Sequence, residues 1–149
     1  MPMTIGVRRE DLSKTGEKRV AITPQTATTL LENGHKLLVQ PGIHYLTGDN
    51  KRAFRDQEYL DAGAEINESL SEAQVVFGLK EVESAQLLPE KTYLFFSHTH
   101  KGQVKNRGML KAMMEKKITL IDYELIVDDK EERLVTAFTY FAGYAGMTD

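Results

Sequence analysis

Short apolar runs recur along this chain, separated by segments that have the spacing of amphipathic helices. Six runs are predicted to form strands: MTIGVR (3–8), HKLLVQ (35–40), QVVFGL (74–79), TYLFFS (92–97), ITLID (118–122) and RLVTAF (133–138). The third and fourth runs are too short for helices and are rich in β-branched or aromatic residues. Because they are apolar throughout rather than alternating, they suit strands covered on both faces, as in a parallel sheet.

Three segments between these runs are predicted to be helices: 23–34, 53–64 and 106–117. The first has the clearest boundaries, because Thr23 suits the N-cap, Pro24 the first helical position and Gly34 the C-terminal stop. Strands that alternate with helices favour an α/β fold with right-handed crossovers. We therefore predict an open, mainly parallel sheet with helices on both faces, of the Rossmann-like or flavodoxin-like kind.

The composition is that of one soluble domain. At 149 residues the chain can bury a core, and no apolar run approaches the ~20 residues that span a bilayer. The net charge of −3 disfavours nucleic acid as a partner, and the lack of cysteine excludes disulfides, thiol catalysis and thiolate metal sites. No signal or transit peptide is recognisable, which leaves a cytoplasmic or mitochondrial-matrix location open.

Titratable side chains follow two successive apolar runs. Lys80 comes directly after the run at 74–79, and His98 directly after the run at 92–97. Parallel strands end at one edge of a sheet, where ligands bind, and neighbouring strands lie ~5 Å apart. The loop that contains Arg19 leaves the first strand at the same edge. If the two runs are neighbours, all three side chains can therefore meet one substrate.

These three residue types suit a small carboxylate-bearing substrate whose reaction moves a proton. Lysine at the lip of an apolar strand can lose solvation, which lowers its pKa, and histidine titrates near ~6.5. Arginine offers a forked donor pair to a carboxylate. The ordinary interpretations are a solvated lysine cap at Lys80 and a solvated arginine at Arg19, and spacing alone leaves both interpretations open.

Two kinds of site are predicted to be absent. His98 and His100 would face the same way on a continuing strand, but no third residue has obvious metal-ligand spacing to them, so we predict no metal site. A dinucleotide needs a glycine-rich turn between a strand and a helix, and the sequence contains no G-x-G-x-x-G. The glycines of AGYAG (142–146) follow the wrong kind of segment, so this chain alone is predicted to bind no NAD(P).

Five motifs, in order, carry a resemblance to a known family: GVRRE…EKRVAITP, VVFGLKE, FFSHTHKGQ, LIDYELI and FAGYAGM. From about Thr4 to Met147 the chain resembles the N-terminal domain of the saccharopine dehydrogenase and lysine–ketoglutarate reductase family. More distantly it resembles the N-terminal domains of alanine dehydrogenase and of the nicotinamide nucleotide transhydrogenases. SHTHK together with DYE is most similar to the lysine–ketoglutarate reductase part of the bifunctional lysine-degrading enzyme.

The resemblance implies a reaction and roles for named residues. The family condenses L-lysine with 2-oxoglutarate and reduces the imine with NADPH to saccharopine. The resemblance implies that Lys80 and His98 act as acid and base and that Arg19 contacts a substrate carboxylate. Further residues that it places in the substrate site are Glu81, Lys101, Gln103, Glu124 and Arg133.

The resemblance also implies a domain organisation. Residues 1–149 would be one N-terminal catalytic and substrate-binding domain of a longer enzyme, whose NAD(P)-binding domain follows and binds the NADPH. The small residues near 142–146 would then let a final helix pack closely against that domain. The implied partners are lysine, 2-oxoglutarate, saccharopine and the enzyme's own C-terminal domain, and a homo-oligomer stays open.

Two other functions fit the same residues. An alanine dehydrogenase would use the same three side chains on ammonia and pyruvate, because that reaction also passes through an imine beside a carboxylate. A stand-alone domain that binds an amino acid or keto acid would need no cofactor domain.

Overall fold

The computed structural model describes residues 1–11, 17–42 and 52–135. Its strands are β1 (Thr4–Val7), β2 (Lys36–Val39), β3 (Glu65–Ile66), β4 (Val75–Phe77), β5 (Thr92–Phe95) and β6 (Thr119–Asp122). They form one sheet in the order β3-β2-β1-β4-β5-β6, in which every pair is parallel. This is a doubly wound order with its switch point between β1 and β4. The predicted α/β fold class is confirmed.

The sheet separates two apolar clusters, so the strands are covered on both faces. Leu37 belongs to one cluster and Leu38, its neighbour in β2, to the other, because successive strand residues point to opposite faces. The helices are α1 (Pro24–Glu32), α2 (Asp56–Asp61) and α3 (Arg107–Glu115). Buried Ala27 of α1 and Tyr59 of α2 pack with Leu37, whereas Met109 and Met113 of α3 pack with Leu38. The continuous apolar runs follow from this two-sided burial.

The helix boundaries show which terminal signals act. Thr23 caps α1, since its hydroxyl oxygen accepts from the Thr26 N–H at 3.2 Å, and Gly34 follows the helix at a φ of +84°. The second helix is shorter than predicted, because it begins only after Arg55, whose backbone N–H donates to the Glu58 carboxylate. The two-residue strand β3 was missed, because so short a strand carries no periodic pattern.

The predicted strand at 133–138 is not formed over its described part. Arg133 makes an isolated antiparallel bridge with Val127 and no longer ladder. Between them Asp128 closes a polar turn, because its carboxylate accepts from the Lys130 and Glu132 N–H groups. Positions 136–138 and the small residues near 142–146 lie outside the described residues.

Short 3-10 turns lie at Ser84–Gln86, Thr99–Lys101, Val104–Asn106 and Tyr123–Leu125. The fourth turn follows β6 directly and carries Glu124, and the second begins four residues after the end of β5 and carries Lys101. No helix in the described part of the chain is long and apolar enough to cross a membrane.

Candidate active site

Lys80 and His98 lie at one edge of the sheet, each three residues beyond the end of its strand. β4 and β5 are hydrogen-bonded neighbours, with Phe77 opposite Leu94. The sheet pairing continues past the strand ends, because the Phe96 N–H donates to the Leu79 carbonyl at 3.0 Å. The condition under which both side chains could reach one substrate, that their strands are neighbours, is therefore met.

Glu17 lies between Lys80 and Arg19. Its carboxylate is 4.0 Å from the Lys80 ammonium and accepts two hydrogen bonds from the Arg19 guanidinium, at 2.6 and 2.8 Å. The hydrogen bond from Arg19 lowers the pKa of Glu17, and the same bond raises the pKa of Arg19. The loop after β1 therefore delivers an ionised carboxylate and a forked cation beside the lysine.

His98 is held against Glu81, the residue that follows Lys80. The His98 Nδ1 atom is 2.9 Å from a Glu81 carboxylate oxygen, and His98 has a left-handed φ of +53°. Such a φ is uncommon for a residue with a Cβ and occurs where the surroundings hold it. Burial alone would raise the pKa of Glu81, but the hydrogen bond to His98, helped by Lys105, lowers it to about 2.

Stability should fall at acid pH because of this pair. The pKa of Glu81 is depressed from 4.5 to about 2 in the folded chain. The ionised carboxylate therefore contributes its full stabilisation at a pH above 4.5, and this stabilisation is lost as the pH falls from 4.5 toward 2. Allowing for solvent screening, we expect a loss on the order of 1 kcal/mol. Denaturant titrations at neutral and acid pH measure this loss in the unsubstituted chain, and Glu81→Gln should not show it. Glu115→Gln, which removes an exposed carboxylate on a helix, is the control. An equal acid sensitivity of Glu81→Gln would contradict the assignment.

Glu124 is the centre of a second group of charges. One carboxylate oxygen is 2.8 Å from the Lys101 ammonium and 3.8 Å from Arg133. The other oxygen is buried without a hydrogen-bond partner in the described residues and lies 3.9 Å from the His98 Nε2 and 3.7 Å from the His100 Nε2. Burial would raise the pKa of Glu124, but the hydrogen bond from Lys101 lowers it. The carboxylate is therefore ionised and faces both imidazoles.

Asp122 holds this second group in place, a role that the motifs did not reveal. One of its oxygens accepts from the backbone N–H and the hydroxyl of Ser97, the other from the Glu124 N–H at 2.9 Å. The Asn106 amide donates to the Ser97 carbonyl at 3.0 Å. Ser97, Asn106 and Asp122 are the buried polar residues of the described chain. The only sequence signal is a polar residue at the end of an apolar run.

A cavity of about 560 Å³ opens beside Arg19. Its lining is mainly apolar and includes Phe54, Phe77, Leu79, Phe96 and Tyr123. The Phe96 and Tyr123 rings meet edge to face at 5.0 Å, and burial raises the pKa of the Tyr123 phenol, which therefore stays protonated. An arginine at an apolar cavity suits a substrate that combines a carboxylate with a methylene chain.

His100, Asp122 and Glu124 place one ligand atom each within 4.8 Å of one another, a grouping that spacing along the sequence did not reveal. Ser97 donates twice to one Asp122 oxygen, and the Lys101 ammonium binds one Glu124 oxygen, while the other Glu124 oxygen has no hydrogen-bond partner among the described residues. A divalent cation at this grouping would therefore lie close to a bound ammonium, which repels it. The prediction of no metal site stays a prediction.

The Arg8 side chain, just after β1, lies at the switch point of the sheet. The Arg8 side chain packs directly against Gly78 at the switch point, and a Cβ at Gly78 would overlap it. No glycine-rich turn stands there to admit a pyrophosphate. Gln103 is exposed and enters none of the ion pairs above within the described residues; its carbonyl oxygen accepts from the Asn106 N–H at 3.1 Å.

Comparison with known proteins agrees with the motifs. The profile of the family described as alanine dehydrogenase/PNT, N-terminal domain, matches residues 6–145. The chain is 40% identical over 143 residues to the mitochondrial alpha-aminoadipic semialdehyde synthase of Bos taurus, covering 96% of this chain and 14% of that protein. It is 32% identical over 150 residues to a saccharopine dehydrogenase (NAD(+), L-lysine-forming) of Yarrowia lipolytica, covering 97% and 38%. It thus spans well under half the length of these relatives.

Solved structures share the fold. An L-alanine dehydrogenase superposes with a TM-score of 0.70 at 25% identity, covering 87% of this chain and 35% of that one. The transhydrogenase from Sinorhizobium meliloti gives a TM-score of 0.65 at 19% identity, covering 82% and 35%, a likeness of fold alone. The resemblance drawn from the five motifs is confirmed.

Proposed function

This chain belongs to the family of alanine dehydrogenase/PNT N-terminal domains, and we propose that it is the substrate-binding half of an oxidoreductase that joins L-lysine to 2-oxoglutarate and reduces the imine with NADPH to saccharopine. The observation that carries the proposal is that Lys80 and His98 both lie just beyond the carboxyl ends of adjacent strands, each beside a carboxylate. Relatives named for saccharopine and lysine chemistry support the choice of substrates.

In this proposal Arg19 binds a substrate carboxylate at the mouth of the apolar cavity. Its guanidinium already holds the Glu17 carboxylate in a forked arrangement, so a substrate carboxylate can meet the same geometry. Lys101 and Arg133 lie around Glu124 at the other side of His98 and add positive charge for a second carboxylate. Both substrates carry carboxylates, and 2-oxoglutarate carries two.

Imine formation needs an acid and a base at one place. The neutral ε-amine of lysine loses two protons as the new C–N bond forms, and the keto oxygen gains two and leaves as water. Lys80 and His98 serve as that acid and base, and each lies beside a carboxylate, Glu17 and Glu81 respectively. The NADPH would supply the hydride that reduces the imine carbon.

The described residues do not fit a dinucleotide, since Arg8 lies directly against Gly78 at the switch point and the sequence has no glycine-rich turn there for a pyrophosphate. We therefore propose that another part of the parent protein binds the cofactor. The matched region is only 14% and 38% of the length of two curated relatives, so each of them is long enough to contain such a domain.

The test is an assay of the full-length protein that the gene encodes. Oxidation of NADPH, and separately of NADH, is followed with lysine plus 2-oxoglutarate and then with ammonia plus pyruvate. Turnover with the first pair supports the proposal, and turnover with only the second pair would establish the alanine dehydrogenase alternative. Binding of an amino acid or keto acid without turnover would instead support the stand-alone binding domain.

Replacement of Arg19 by methionine should weaken substrate binding. A charged hydrogen-bond pair contributes about 1.5–3 kcal/mol, so we expect KM for 2-oxoglutarate to rise about 10- to 100-fold. Arg107→Met, at the exposed start of α3, is the matched control. Steady-state kinetics measures the change. An unchanged KM for both substrates would remove Arg19 from the binding site.

A further inference from the structure

Arg8 and Glu10, at the carboxyl end of β1, clasp the main chain of Lys80. The Glu10 carboxylate accepts from the Leu79 N–H at 2.8 Å and from the Lys80 N–H at 3.0 Å. The Arg8 guanidinium donates to the same carboxylate at 3.0 Å and also to the Lys80 carbonyl. The Arg8–Glu10 ion pair therefore binds both main-chain polar groups of Lys80, the N–H and the carbonyl.

This clasp, formed by Arg8 and Glu10, binds the main chain just beyond the last hydrogen bonds between β4 and β5. Gly78 still donates to the Leu94 carbonyl of β5, and the Leu79 carbonyl still accepts from Phe96. The Lys80 N–H and carbonyl have no such strand partner among the described residues and are bound by the side chains that follow β1 instead. The two side chains are buried, with 6% of Arg8 and 11% of Glu10 exposed. A buried ion pair that fixes a peptide gives that peptide one orientation.

We infer that Arg8 and Glu10 are positioning residues for Lys80, because they hold its backbone so that the ammonium stands between Glu17 and the substrate. This inference rests on the proposed acid–base role of Lys80. A displacement of about 1 Å at a reacting group can cost ~100-fold in rate. Gly78 belongs to the same device, because any side chain at that position would push the Arg8 guanidinium away.

The experiment is a double-mutant cycle in the full-length enzyme with Glu10→Gln and Lys80→Met. Glutamine keeps the shape but presents one acceptor oxygen where two N–H groups and Arg8 require a carboxylate. We expect Glu10→Gln alone to lower kcat about 10- to 100-fold with little change in KM and to move the alkaline limb of the pH profile. In the Lys80→Met background it should cause no further loss.

Glu68→Gln is the control. Glu68 pairs with Arg9, next to the clasp in sequence, but is 64% exposed and touches no residue of the proposed site. Its kcat and pH profile should equal those of the parent enzyme.

The outcomes separate the inference from the proposed function. An equal loss from Glu10→Gln with and without Lys80 would overturn the inference, since a purely structural ion pair acts on both backgrounds alike. A normal kcat and pH profile for Glu10→Gln would also overturn it while leaving the role of Lys80 intact. If Lys80→Met itself retains full turnover, the proposed function of Lys80 fails. Should Glu10→Gln not fold, Glu10→Asp is put through the same cycle, and the same results support or overturn the inference.

Discussion

Replacement of Lys80 by methionine is expected to lower kcat for the proposed reaction, saccharopine formation, by about 100- to 10,000-fold, the range that a positioned acid or base contributes. Methionine fills much of the volume of the lysine stem but cannot carry or exchange a proton. The main chain of Lys80 would keep its clasp from Arg8 and Glu10, because that clasp binds only backbone atoms. The loss should therefore be chemical, and steady-state assays of the full-length enzyme measure it.

Lys111→Met is the matched control for this experiment. Lys111 is on α3, 77% exposed, and pairs with Glu115 on the same helix, so its removal should change kcat by less than about twofold. A wild-type kcat for Lys80→Met would exclude the acid–base role and favour a solvated lysine cap. A large rise of KM with kcat unchanged would instead make Lys80 a substrate-binding residue.

Replacement of Asp122 by alanine should cause the largest loss of stability among the site residues, about 2–5 kcal/mol. Its carboxylate is 5% exposed and accepts three hydrogen bonds, two from Ser97 and one from Glu124. Alanine leaves all three donors without their acceptor in a buried site. Since domains are stable by only about 5–15 kcal/mol, much of the total would be lost. Denaturant unfolding of the 149-residue chain measures the change.

Asp128→Ala gives the comparison. Asp128 also accepts two backbone N–H groups, from Lys130 and Glu132, but in an exposed turn where water replaces the lost acceptor. We expect a cost of about 1 kcal/mol or less. Equal costs for Asp122→Ala and Asp128→Ala would show that burial of the Ser97 network is not what stabilises this edge of the sheet.

Asp122→Ala should also reduce activity in the full-length enzyme at temperatures where the protein stays folded. Ser97, which the Asp122 carboxylate binds, directly precedes His98 with its left-handed backbone, so we expect the network to hold that backbone in place. Loss of the network frees both His98 and Glu124, so kcat should fall more than KM rises. Activity that tracks only the folded fraction would mean that the network stabilises without positioning.

Several features were predictable because they depend on neighbours along the chain. The capped start of α1 at Thr23 and its stop before Gly34 follow from local hydrogen bonds and one backbone conformation. The two-sided burial of β4 and β5 follows from their unbroken apolar composition. Lys80 and His98 could be placed at one edge because parallel strands share the direction of their ends. The strand predicted at 133–138 is not formed over residues 133–135, because Asp128 closes a turn that reverses the chain within a few residues.

The sequence by itself determined the fold class, the three helices and longer strands of the described residues, and the two titratable residues at the strand ends, since these depend on period, capping and chain direction. Only the tertiary structure decided what surrounds those residues. Glu10 meets Lys80 across 70 positions and Asp122 meets Ser97 across 25. No spacing rule reports such contacts, because a charged residue has the same local pattern whether it meets water or a distant backbone. The physical reason is burial at the strand ends. A peptide group that is removed from water must form a hydrogen bond with another group of the protein, and only folding brings that group next to it.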